Sequence, residues 1–249
     1  MGNKKKQLAT KGSGFPANAP LAATAPRWPP FKPHLPVVQP SFDRPSPKFE
    51  DQIVVIRNFF PKSLCRDYVA FLAGLPLSTT PGKPKRGEAS RYNDRFQIDD
   101  PQFARRLWLE TGLKEAVIQQ SVKGLWGGEV IGLNPNIRIY RYTPGQFFDC
   151  HYDDYNLVSV PSENGQETIN AKTTWTVLLY LTSATEGCQG GETVFYANDR
   201  KLAAEEIVIG PETGMVLLHK HGNDCLLHEG REVVAGQKWI IRTDLCVRR

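Results

Sequence analysis

No apolar run in the 249-residue sequence approaches the ~20 residues needed to cross a bilayer. The N-terminal MGNKKKQLATKGSG has charge but lacks the apolar stretch of a secretory signal. Lys6 stands where a myristoylation signal has Ser or Thr, and the C-terminal CVRR lacks the aliphatic pair of a prenylation box. Cysteine is scarce and odd in number: Cys65, Cys150, Cys188, Cys225 and Cys246 are widely spaced with no C-x-x-C. That excludes a disulfide framework or a zinc site as an expectation and favours a reducing compartment. A cytoplasmic or nuclear protein with no membrane partner is expected. A basic nucleic-acid surface is missing too. The net charge is +5, yet residues 1–50 hold eight Lys/Arg against two acidic residues, leaving 23 basic and 24 acidic in the remainder. A domain that is neutral once its basic leader is set aside is not expected to bind nucleic acid.

The sequence is rich in proline at one end. Ten of its nineteen prolines precede residue 48, among Ala, Lys and Ser, so residues 1–48 are expected to be a disordered leader. The run Pro26–Pro47 is either a polyproline-type ligand for an unknown partner or a solvated segment with none. Residues 49–249 then form one domain, with a helical flank over 49–130 and a β core over 131–249. Ile53–Ile56 reads as a buried strand, Ser63–Leu75 as an amphipathic helix and Pro101–Ser121 as a second helix. Between the helices lies a basic, Gly/Pro-rich loop of a length expected only of functional or disordered segments, a candidate lid over 79–95. From residue 130 the pattern changes to short strands at Ile137–Tyr142, Gln146–Asp153, Thr173–Leu181, Glu192–Phe195, Met215–His219, Cys225–His228 and Lys238–Leu245. Helices followed by many short strands suggest an α+β, mainly β fold: a sandwich or jelly-roll barrel with a helical flank.

His151-Tyr152-Asp153 is the most informative triplet. In a strand, residues two apart share a face, so the imidazole and the carboxylate lie side by side. They are two parts of a 2-His-1-carboxylate triad, which binds non-haem Fe(II) on one face and leaves the other open. The third ligand must come from His219, His221 or His228. His228 is preferred because Lys238 follows ten residues later on a strand, whereas the residue ten after His221 is Arg231, in a loop-like stretch. Lys238, Ile240 and Arg242 share a face of KWIIRTD. A cation inside a barrel needs an anion beside it, and the distal carboxylate of 2-oxoglutarate is one.

The segments YRYTPGQFFDCHYDD, WTVLLYLT…GGETVFY and HEGREVVAGQKW resemble the catalytic domain of 2-oxoglutarate/Fe(II)-dependent dioxygenases, in the prolyl 4-hydroxylase-like branch. The likeness covers residues 136–247. It implies a double-stranded β-helix with flanking N-terminal helices, an enzyme, and dependence on Fe(2+), 2-oxoglutarate and O2, with ascorbate as reductant. Carried over residue by residue, it implies His151, Asp153 and His228 as metal ligands and Lys238 as salt-bridge partner of the 2-oxoglutarate C5 carboxylate. Tyr142 and Thr176 match positions that hydrogen-bond the co-substrate. Arg242 has no counterpart in the collagen-type pattern, which leaves open whether Lys238 or Arg242 is the main anchor. The reaction implied is hydroxylation of an unactivated C–H bond, first of a prolyl residue in a peptide or protein, alternatively of a small molecule. The spacing of Arg242 and Arg248 echoes the AlkB-type nucleic-acid demethylases, and a fold retained only for binding is the non-enzymatic alternative.

Overall fold

In the computed structural model the described residues are 25–80, 84, 87–197, 201 and 205–249. The larger sheet is antiparallel and ten-stranded. Its order is β1 (Phe42–Asp43), β2 (Ile53–Ile56), β14 (Val216–Lys220), β10 (Thr168–Tyr180), β17 (Lys238–Arg248), β7 (Asn136–Tyr142), β5 (Asp94–Asp99) and β3 (Ser78–Thr79). Beside this path, β6 (Val130–Leu133) pairs with β17 and β9 (Leu157–Pro161) with β10. The smaller, five-stranded sheet runs β13 (Glu206–Ile209), β12 (Thr193–Tyr196), β15 (Leu227–Gly230), β8 (Phe147–His151) and β4 (Arg91–Tyr92). A short pair, β11 (Gln189–Gly190) with β16 (Val233–Ala235), lies apart from both. Mainly β architecture with large antiparallel sheets is what the strand pattern led us to expect.

Both faces of the central strands of the larger sheet are buried, and the alternation of each strand sorts side chains between them. Trp175, Val177 and Leu179 of β10, Trp239, Ile241 and Leu245 of β17, and Ile137 and Ile139 of β7 join one core with the helices. Leu178 and Tyr180, Ile240, Tyr140 and Tyr142 of the same strands join a second core between the sheets. Ile53-Val54-Val55-Ile56 divides in the same way, Val54 and Ile56 to the helices and Ile53 and Val55 inward, which is why that strand is apolar throughout.

Helix α1 (Lys62–Leu72) presents Leu64, Cys65, Tyr68 and Leu72 to the core. The single helix expected over Pro101–Ser121 is two: α2 (Pro101–Leu109) and α3 (Leu113–Val117). Asp100 caps α2 by accepting from Phe103 N at 2.8 Å, with Pro101 in the first turn. The break falls at Gly112, in the left-handed region at φ 79°, where a Cβ would lie 2.9 Å from Pro36 Cγ. The apolar spacing that read as one helix carried through the break because both pieces face the same core.

The leader expected over 1–48 needs a second correction. Residues 1–24 lie outside the described residues, but residues from 28 onward pack on the domain. Trp28 stacks on Phe103 at 3.9 Å and donates from Nε1 to Asp100 Oδ2 at 2.7 Å. Leu35 is buried in the helical core. Aromatic side chains between the prolines made this possible, and the proline count hid it. Among the described residues no helix is long and apolar enough to cross a membrane.

Candidate metal and co-substrate site

His151 ends β8 and His228 lies in β15, directly opposite each other in register, with ring centroids 4.2 Å apart. Cross-strand partners share a face, so both imidazoles point between the sheets. Asp153 lies just beyond the strand that was expected to contain it, since β8 stops at His151. Its carboxylate still reaches the pair: Oδ1 is 3.9 Å from His151 Nε2 and Oδ2 is 3.9 Å from His228 Nε2.

The two histidines are set up alike. His151 Nδ1 donates to Asp149 O at 2.8 Å, and His228 Nδ1 to Leu226 O at 2.9 Å. That fixes the tautomer and leaves each Nε2 lone pair facing Asp153. Burial, and for His151 also the neighbouring His228, pushes both below the usual imidazole pKa, so both are neutral. Burial works against ionised Asp153, but Arg242 and the surrounding imidazoles hold it well below the usual carboxylate range. Neutral imidazoles and an ionised carboxylate are a donor set that fits a divalent first-row metal.

Asp153 is held from one side. Thr176 Oγ1 donates to its Oδ2 at 2.7 Å and Arg242 Nη2 donates to the same oxygen at 2.8 Å. Oδ2 is thus engaged by two donors while Oδ1 turns toward His151. Thr176 was expected to contact a co-substrate; its one proton goes to Asp153 instead, and His221 Nε2 stands 2.6 Å from the same hydroxyl. With the Thr176 proton committed, His221 donates through Nε2, and Thr173 Oγ1 faces its Nδ1 at 3.4 Å. His221, the rival for third ligand, therefore stands behind Thr176. Behind Arg242 lies buried Asp244, 3.7 Å from Arg242 Nε and 3.5 Å from Arg138 Nη2. Arg138 and Arg242 are opposite each other in register, a like-charge pairing made tolerable by the two aspartates.

Lys238 has a different setting. It opposes Tyr142 in register, is 3% exposed, and its Nζ lies 5.3 Å from the Tyr142 ring and 5.5 Å from that of Tyr180. No carboxylate is within ion-pair distance among the described residues, and burial pulls its pKa down to about 8. Burial raises that of Tyr142 to about 12, keeping it a neutral hydroxyl. The channel for Lys238 is made by glycine: a Cβ on Gly191 would lie 3.1 Å from Lys238 Cδ, and one on Gly230 3.9 Å from Nζ.

Sequence reasoning passed over two site residues. His219 opposes Thr176 in register, is buried, and brings Nε2 to 3.8 Å from Asp153 Oδ2. Its Nδ1 is buried without a hydrogen-bond partner, unlike the carbonyl-tied Nδ1 atoms of His151 and His228. It was weighed only as a ligand, although its place on the inward face of a strand paired to Thr176 was the useful signal. Asp244 was also missed; it extends the Lys238–Ile240–Arg242 row by one step. The Arg242–Arg248 spacing does not make a pair in space: Arg248 is at the surface, bonded to Glu129 at 2.7 Å. The 79–95 segment passes through β4, where Arg91 and Tyr92 pair with Phe148 and Phe147 beside His151, and ends in β5; residues 81–83, 85 and 86 lie outside the described residues.

Residues 137–243 match the model of the 2OG-Fe(II) oxygenase superfamily. Among solved structures, the fold is similar to a Pseudomonas putida prolyl-4-hydroxylase at TM-score 0.53 and 16% identity, covering 80% of this chain and 94% of that one. It is similar to a truncated viral collagen prolyl hydroxylase from Paramecium bursaria Chlorella virus-1 at TM-score 0.50 and 19% identity, covering 83% and 95%. A third, HygX from Streptomyces hygroscopicus with nickel and 2-oxoglutarate bound, gives TM-score 0.51 at 14% identity, covering 80% and 85%. No curated protein matches the chain. At these identities the neighbours establish a double-stranded β-helix fold.

Proposed function

We propose that this chain, whose residues 137–243 match the model of the 2OG-Fe(II) oxygenase superfamily, is a dioxygenase that hydroxylates an unactivated C–H bond, with a prolyl residue of a peptide or protein as the favoured substrate. The observation that carries the reading is the pairing of His151 and His228 across adjacent strands, each tied at Nδ1 to a carbonyl, with the Asp153 carboxylate between their Nε2 atoms.

His151 Nε2, His228 Nε2 and Asp153 Oδ1 would hold ferrous iron. The chemistry such a centre supplies is activation of O2 with conversion of 2-oxoglutarate to succinate and CO2, coupled to C–H hydroxylation. The chain's own work is placement. Thr176 and Arg242 engage Oδ2 and so turn Oδ1 to the metal. Lys238 and Tyr142 would bind the C5 carboxylate of the co-substrate: Lys238 is a buried cation with no carboxylate at ion-pair distance among the described residues, whereas Arg242 is already paired with Asp153. Lys238 is therefore assigned as the main anchor and Arg242 as a positioning residue.

The branch-specific sequence motifs support the prolyl substrate. So does a cleft of ≈ 560 Å³ along the inward face past Arg138, whose walls mix polar side chains such as Gln97, Asn156 and Ser159 with apolar Leu157 and Val158. Asn134 and Asn136 are engaged within the protein, which leaves Gln97 and Asn156 to face the N–H and C=O groups of an extended chain. A small polar molecule is the second reading and is favoured by the same wall. An AlkB-type activity loses its main sequence feature now that Arg248 stands at the surface.

The test is succinate formation from 2-oxoglutarate by the purified chain with Fe(II) and ascorbate, beside His228→Ala. Slow uncoupled turnover in the parent and none in the variant is expected; absence of both iron binding and succinate would overturn the proposal. Proline-rich peptides and then small metabolites would show which class accelerates turnover.

A further inference from the structure

Of the three proposed ligands, Asp153 alone lies outside a strand. β8 stops two residues earlier, so the Asp153 N–H and C=O must find partners beyond the ladder. Both find them in the connection from β14 to β15. Gly222 N donates to Asp153 O at 2.9 Å, and Asp153 N donates to Cys225 Sγ at 3.3 Å. Between these two contacts lies one short 3-10 turn, Gly222–Asp224, which Gly222 enters at φ 72°. Burial and the nearby Asp153 charge push the Cys225 thiol up, so it keeps its proton and turns it to Leu226 O at 3.4 Å. The sulfur lone pairs are left to Asp153. The same Leu226 carbonyl orients His228, so one connection reaches two of the three ligands.

The connection reaches the Asp153 side chain as well, through His221. His221 Nε2 stands 2.6 Å from Thr176 Oγ1, whose single proton goes to Asp153 Oδ2 at 2.7 Å. A bare Nε2 would compete for that proton and leave Asp153 facing an oxygen lone pair. The surroundings of the ring select the other tautomer. At Nδ1, Thr173 Oγ1 stands 3.4 Å away; it accepts from Asn156 N at 2.9 Å and so has its own proton free for the ring. At Nε2, the buried Asp244 Oδ1 lies 3.7 Å away without a hydrogen-bond partner among the described residues, which favours an N–H on that side. Burial lowers the His221 pKa and keeps the ring neutral. Its proton is thus on Nε2, the reverse of His151 and His228. Thr173, His221 and Thr176 then all donate in one direction, toward Asp153, and hydrogen bonds aligned in this way strengthen one another.

We propose that the 221–225 connection is the positioning device of the metal-binding carboxylate, with His221 acting through the Thr176 hydroxyl to keep Asp153 Oδ1 turned to the metal. His221 is a positioning residue and not a third ligand. The inference rests on the metal site of the dioxygenase reading and assigns how the one ligand outside the strands is held.

The experiment measures Mn(II) binding to the full chain by titration calorimetry, which needs no turnover. His221→Phe should weaken binding about tenfold, the scale of losing an outer partner of a ligand. His221→Gln, which keeps a side-chain N–H donor, should recover most of that loss. In a Thr176→Val background the further effect of His221→Phe should shrink to about twofold or less, because the path through the hydroxyl is gone. Cys225→Val leaves the Asp153 N–H without its acceptor and should weaken binding too. NMR of the ring nitrogens in the unsubstituted protein should show His221 as the Nε2–H tautomer, a result that depends on no variant folding. An Nδ1–H tautomer, unchanged Mn(II) affinity in His221→Phe or Cys225→Val, no recovery with Gln, or a tenfold loss that persists on Thr176→Val would each overturn the proposal. Absence of Mn(II) binding by the unsubstituted protein would instead count against the metal site of the dioxygenase reading.

Discussion

Lys238 and Arg242 are two residue-scale solutions to burying a cation on the same strand face. Arg242 is neutralised from within the protein by Asp153 and Asp244, whereas Lys238 waits for a ligand among aromatic rings. Three predictions follow from that difference. The co-substrate dianion binds protonated Lys238, whose pKa without ligand is about 8. Affinity for 2-oxoglutarate should be flat below pH 8 and fall by about tenfold per unit above it, as titration calorimetry with Mn(II) in place of iron would show. Lys238→Met should remove this binding yet raise Tm by a few degrees in ligand-free protein, since it replaces an uncompensated buried charge. Arg242→Gln should behave otherwise. With Asp153 less firmly held, metal affinity should weaken by about 10–100-fold, the usual effect of losing an outer partner. A loss of 2-oxoglutarate affinity at saturating metal, with metal affinity unchanged, would reverse the two assignments.

At the scale of elements, the site depends on how strands and turns meet. The Gly190-Gly191 link joins β11 to β12, strands of different sheets, with both residues at positive φ. Its second glycine has the further role of leaving room for Lys238. Gly191→Ala would place a Cβ 3.0 Å from Val233 Cγ2 and 3.1 Å from Lys238 Cδ. Gly187→Ala carries the same backbone strain at φ 87° but meets nothing within 4 Å. Both variants should lose about 1 kcal/mol of stability, and only Gly191→Ala should also raise the KM for 2-oxoglutarate. Equal effects on KM would show that strain, not the channel, matters. The inward row of β17 was legible from period two alone, since Lys238, Ile240 and Arg242 alternate with Trp239 and Ile241. The helix break at Gly112 was not, because the apolar pattern on either side serves one continuous core.

For the molecule as a whole, the boundary of the folded unit lies earlier than composition implied. Proline content argued for a leader up to residue 48, but Trp28, Phe31 and Leu35 close the helical side of the larger sheet. Trp28→Ala should lower the unfolding free energy by about 2 kcal/mol in urea denaturation, through the lost stack on Phe103 and the lost bond to Asp100. A solvated leader would predict no change. The helical layer matters to the site because it buries the outer face of β10, β17 and β7, the strands whose inner faces carry Thr176, Arg242, Lys238 and Tyr142.

By itself the sequence determined the mainly β class, the inward face of each long strand, and the group of His151, Asp153, His228 and Lys238 as residues worth bringing together. These are properties of periodicity and spacing, which are local. The direction of each polar contact was decided only in three dimensions. Thr176 donates to Asp153, Arg242 is taken up by two aspartates, His219 enters the cluster, and Arg91 arrives from a strand in the other sheet. Each of those facts depends on which strands are neighbours, and neighbourhood between strands far apart in the chain is set by how two sheets pack, not by any pattern within one.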